Sequence, residues 1–132
     1  MATVRKFEDL EIWQLARKYA HAIYDLTIGE KFAKEYKFKE QIKDSSGSVM
    51  DNIAEGFGRE SRFEFINFLG IAKGSLCESQ SQLYRAFDCG LITSEVFNLR
   101  YQEAEIIGAK ISAFMIYLNK TPIKGKKFKD RE

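Results

Sequence analysis

Apolar residues recur at three- and four-residue spacings along four successive stretches, and each stretch predicts an amphipathic helix. The first runs from about 9 to 27. Ile12, Trp13, Ala16, Tyr19, Ala20, Ile23 and Leu26 share its face, and Glu11, Gln14, Arg17, Lys18 and Asp25 fall largely off it. Asp9 is placed to cap the start, and Gly29 follows the end. A short polar linker around Phe32 occupies 28–35.

The second stripe spans about 37–57, through Phe38, Ile42, Ser45 or Ser46, Val49, Ile53 and Phe57. Its middle, Ser45-Ser46-Gly47-Ser48, has weak helix propensity, and a loop at 44–48 competes with a helix there. The apolar phase continues across the gap, which favours a helix. Gly56 and Gly58 then break the pattern, and two glycines supplying positive φ fit a tight turn. Ser61 with Glu64 forms a capping-box signature for a third helix, about 62–89. Phe65, Leu69, Ala72, Leu76, Leu83, Ala86 and Phe87 are its main stripe, widened by Ile66, Phe68 and Ile71. So broad an apolar girth calls for more than one neighbour. Gly70 and Gly74 each cost roughly 1 kcal/mol against alanine, so a close-packing role is expected of them.

Gly90 ends the third helix and Thr93 caps a fourth, about 93–119, with Val96, Leu99, Ile106, Ile107, Ile111, Phe114, Met115 and Leu118 as its stripe. Pro122 forbids continuation. Short connections force antiparallel neighbours, so the expected fold is an all-α, up-down-up-down four-helix bundle over 1–119, with a basic tail at 120–132.

Charge sharpens that division. Of 21 basic and 19 acidic residues, six and two fall from Lys120 onward, leaving 15 and 17 in the body. Lys120, Lys124, Lys126, Lys127, Lys129 and Arg131 can hold phosphates by charge alone, and a merely solvated end is the competing reading. No segment approaches the ~20 apolar residues of a membrane span, and no signal core follows the N-terminus, so a cytoplasmic protein is expected. Cys77 and Cys89 lie twelve residues apart on one helix. That is roughly 18 Å, which excludes a disulfide between them. Buried, inert, reduced cysteines are expected.

Candidate chemistry is sparse. A di-iron bundle needs paired Glu-x-x-His motifs, and the single histidine, His21, follows Lys18 at that spacing. No metal or cofactor is expected. Gly56-Phe57-Gly58 lacks the lysine and preceding strand of a phosphate loop. Asn52, Glu55 and Arg59 share a helical flank and read first as a hydrogen-bonded corner between helices. A functional version would turn Arg59 and Arg62 onto nucleic-acid phosphates.

Four segments together carry a resemblance: Phe7 to Ala16 (FEDLEIWQLA), Asn52 to Gly56 (NIAEG), the Ser61–Phe65 start, and Gly74 to Glu78 (GSLCE). In this order they resemble the four-helix bundle proteins encoded in intervening sequences of bacterial 23S ribosomal RNA genes, over about residues 7–118. Ala33 and Met50 stand where prolines are frequent in that family, and the second change should straighten the second helix. The resemblance implies a homopentamer without established enzymatic activity. It also suggests a link to accessory proteins of diversity-generating retroelements, which bind nucleic acid and a reverse transcriptase.

The expected function is therefore non-enzymatic: an oligomer that binds nucleic acid, RNA first, or acts as a scaffold. The expected contacts are Arg59, Arg62, Lys73, Arg85 and the tail, with Asn52, Glu55, Gly56 and Glu78 as a structural motif. The alternative is a protein-interaction module that recruits a partner such as a reverse transcriptase without touching nucleic acid.

Overall fold

Each predicted stripe becomes one long helix in the computed structural model, which describes residues 4–120. The order is a 3-10 turn at Phe7–Asp9, α1 at Glu11–Thr27, α2 at Glu30–Ala33, α3 at Tyr36–Gly58, α4 at Arg62–Asp88 and α5 at Ser94–Lys120. α3 packs most extensively on α4; α1 lies along α3, and α5 along α4. The circuit closes where α5 meets α1, by the thinnest of the four seams. The result is the antiparallel up-down-up-down bundle.

The inward phase of the stripes sets the core. Tyr19, Ile23, Ile42, Val49, Ile53, Phe65, Leu69, Leu76, Leu83, Ile111 and Leu118 are almost wholly buried. α3 runs unbroken through the serine-rich stretch. The serines are tolerated because their hydroxyls are paired: Ser45 meets Gln82 Oε1 of α4, and Ser75 of α4 donates to Ser48 at 2.9 Å. α3 also passes Met50 without a break.

Several local expectations change. The linker at 28–35 contains α2, because Phe32 is buried and stacks on Phe38 with ring centroids 5.4 Å apart. Asp9 caps the 3-10 turn rather than α1: its carboxylate accepts from Arg5 N and Lys6 N at 3.0 and 3.3 Å. Gly56 and Gly58 both lie within α3, and the left-handed residue in the turn is Glu60, at φ 58°. Gly56 serves packing instead, since a Cβ there would stand 2.6 Å from Phe68 Cβ. Gly70 and Gly74 face open space, so they bring no helix of this chain close. Ser61 does cap α4, accepting from Glu64 N at 3.3 Å. Gly90, at φ 73°, ends α4 in a Schellman motif, with Leu91 N donating to Ala86 O and Gly90 N to Phe87 O. Cys77 and Cys89 are both exposed rather than buried: Cys77 lies off the inward stripe of α4, and Cys89 is the cap residue just past its last turn.

One buried polar pair crosses the core. Tyr19 Oη of α1 lies 2.7 Å from Ser79 Oγ of α4. Burial pushes the Tyr19 phenol up to about 12 from 10.0, with the Ser79 hydrogen bond opposing the shift. The neutral phenol is therefore favoured in the folded state. Its stabilising contribution is intact below pH 10 and is lost as pH rises from about 10 to about 12. Urea titrations across that range should show a loss of about 3 kcal/mol that is absent in Tyr19→Phe.

Candidate nucleic-acid and assembly surfaces

Helix polarity decides which candidate residues can act together. The end of α3, the start of α4 and the end of α5 meet at one end of the bundle. Arg59, Arg62 and Lys120 therefore share that end. Arg85 lies 23 residues along α4 from Arg62, roughly 35 Å away at 1.5 Å per residue. Lys73 sits between them. The four body residues do not form one surface.

Their environments separate them further. Arg59 is half-exposed, contacts Glu55 at 3.1 Å and Glu64 at 3.7 Å, and lies over the Phe68 ring at 5.0 Å. It ties the end of α3 to the start of α4. Arg62 is only 8% exposed. Its Nη1 donates to Leu118 O at 3.5 Å, and its guanidinium covers the Phe63 ring at 4.7 Å. That places a cation at the carbonyl end of α5, where the helix dipole favours it. Lys73 lines a groove of the α4–α5 seam with Cys77, Gln80, Glu105 and Gly108. Arg85 lies over the Phe38 ring at 4.4 Å. Lys120 is exposed on the last turn of α5. Lys124, Lys126, Lys127, Lys129 and Arg131 lie outside the described residues.

The Asn52–Arg59 corner divides in two. Glu55 and Arg59 pair as the spacing suggests. Asn52 instead donates to Ser48 O and Ser48 Oγ, both at 2.8 Å, and belongs to the serine cluster between α3 and α4. Glu78 lines a polar groove on that same seam with Gln41, Asp44, Ser48 and Ser75. His21 is exposed, 3.5 Å from Asp25. Among the described residues no group of three or more His, Cys, Asp or Glu side chains is arranged to hold a metal. No described helix is long and apolar enough to cross a membrane.

Sequence patterning misjudged one surface. Leu99 and Ile106, assigned to the core stripe of α5, are 53% and 52% exposed, and Ile116 is 55% exposed. α5 is apolar on two sides, and the inward side is Ala104, Ile107, Ile111 and Leu118. On α4, Phe63 and Ile71 are also exposed, and Phe87 is 41% exposed rather than core. Missed altogether were three cations set over aromatic rings: Arg17 over Trp13, Lys39 over Tyr36 and Lys43 over Tyr24, at 5.7, 5.2 and 5.6 Å. The available signal was tyrosine off the apolar stripe, at 24 and 36.

The family model described as 23S rRNA-intervening sequence protein matches residues 8–113. A crystal structure at 26% identity superposes with a TM-score of 0.73 and covers 83% of this chain and 99% of its own. It is described as a protein of unknown function from the S23 ribosomal protein family of Bacteroides thetaiotaomicron VPI-5482. No curated protein matches the chain.

Proposed function

The chain belongs to the 23S rRNA-intervening sequence protein family, and from that premise we propose that it is a non-catalytic, self-associating bundle that binds nucleic acid. The observation that carries self-association is the second apolar side of α5. Leu99, Ile106 and Ile116 are more than half exposed there, and Phe63 and Ile71 add apolar surface on α4. Exposed apolar side chains in this number favour association, and copies of one chain close into symmetric rings. The pentamer implied by the family resemblance is one such ring.

For nucleic acid, the supporting feature is charge placement. Arg62 is buried and Arg59 pairs with two glutamates, so the proposed binding charge is Lys120 together with the basic residues that follow it in sequence. Five or so tails on one ring would act through effective concentration, each contact being weak alone. RNA is the first ligand to test.

Binding of a structured RNA should be measured across salt, with the full chain and with residues 120–132 removed. The full chain should bind at low salt with a steep salt dependence, and truncation should flatten the slope. Absence of binding at low salt would contradict nucleic-acid binding. It would leave the second reading, a scaffold whose exposed apolar side recruits a protein such as a polymerase.

A further inference from the structure

The two flanks of α3 differ in charge. Toward α4, Asp44 and Glu78 line a groove among serines. Toward α1, Lys43 reaches across to the Tyr24 ring, and Lys39 sits against the Tyr36 ring. Farther along α1, Arg17 covers Trp13. Trp13, Arg17 and Tyr24 are four and seven residues apart, so they share one flank of α1. Tyr36, Lys39 and Lys43 are three and four apart and share one flank of α3. The Lys43–Tyr24 contact joins the two flanks into one face.

The two tyrosine rings are accessible, Tyr36 at 72% and Tyr24 at 49% exposed, whereas Trp13 is buried, at 9%, and serves only to hold Arg17. Two of the cations are uncompensated, since among the described residues neither Arg17 nor Lys39 has an ion-pair partner. Lys43 shares Glu40 at 3.0 Å, and the neighbouring Asp25 is taken by His21. From Trp13 to Tyr24 the row runs roughly 17 Å along the helix axis.

Cations interleaved with exposed aromatic faces match one ligand chemistry. Phosphates pair with the cations, and unstacked bases lie on the rings. A duplex hides its base faces in its own stack, so the tyrosines add nothing to its binding. Asp44 and Glu78 repel a polyanion from the groove of the α3–α4 flank, where Arg85 is a cation across the seam, so the α1 side of α3, with Arg17, Lys39 and Lys43, carries the more favourable path. We infer that the α1–α3 face is a track for single-stranded nucleic acid, with Tyr24 and Tyr36 as stacking platforms and Arg17, Lys39 and Lys43 on phosphates. This rests on the nucleic-acid reading above and adds the face and the strand class.

The test uses the full chain, a fluorescein-labelled oligouridine of about 12 nucleotides and an RNA duplex of equal length. The parent should prefer the single strand. Tyr24→Ala with Tyr36→Ala removes two platforms at about 1–3 kcal/mol per stacked base, so it should weaken single-strand binding at least about 30-fold and leave duplex binding unchanged. Both tyrosines are exposed, so the fold is retained, as circular dichroism would verify. Lys39→Gln with Lys43→Gln should reduce the salt slope for oligouridine by about 1.4, two phosphates' worth. Unchanged oligouridine binding by the tyrosine variant, or a parent that prefers duplex, would overturn the track while nucleic-acid binding stands. A parent that binds neither probe overturns both.

Discussion

Gly56→Ala should destabilise the bundle by about 2 kcal/mol, with a thermal midpoint lower by roughly 5–10 °C. The cause is steric. A Cβ at Gly56 would stand 2.6 Å from Phe68 Cβ and 3.0 Å from Phe65 Cδ1. A Cβ is anchored to its backbone and cannot swing aside, so α3 and α4 must separate along the most extensive contact in the molecule. Alanine's helix propensity returns up to about 1 kcal/mol, which is less than the overpacking costs. Gly58→Ala is the internal control. It sits in the last turn of the same helix, and a methyl group added there meets nothing within 4 Å, so it should be neutral or slightly stabilising. Equal effects at the two positions would refute the packing role of Gly56.

Ile106→Glu with Ile116→Glu should convert the assembled protein into single chains without unfolding them. Both side chains are more than half exposed in the isolated bundle, so a charge there meets water and costs the fold little. At a contact between copies the same carboxylates would be buried without partners, which costs several kcal/mol each. Ala113, also exposed on α5, gives a milder comparison with Ala113→Glu. Light scattering reads the mass, and far-ultraviolet circular dichroism reads the helix content. A variant that keeps the parent's mass would place the interface elsewhere.

Periodicity and punctuation carried most of the architecture. Four stripes, the Ser61 cap and the Gly90 stop placed the long helices within a residue or two of their observed ends. They failed where one residue type serves two physical ends. Glycine signals both a turn and a close contact, so Gly56 looked like part of the turn, and its true role depends on Phe68, a residue of another helix. Spacing also cannot say which of two apolar sides of α5 faces inward. Both Ile106 and Ile107 fit a stripe, and only packing against α4 and α1 chooses Ile107. The candidate site was the least readable part. Arg59 and Arg62 are near neighbours in sequence, yet one bridges two glutamates at the surface and the other is buried against the end of α5. The cation–aromatic row pairs α1 with α3, a contact that no local pattern encodes.

Self-association underlies the whole functional reading, because it explains the exposed apolar side of α5 and multiplies weak phosphate contacts. Multi-angle light scattering on the full chain at micromolar concentration tests it directly. The predicted mass is a multiple of the 15.3 kDa chain, fivefold for the ring that the family resemblance implies. A single species at 15.3 kDa would contradict the account.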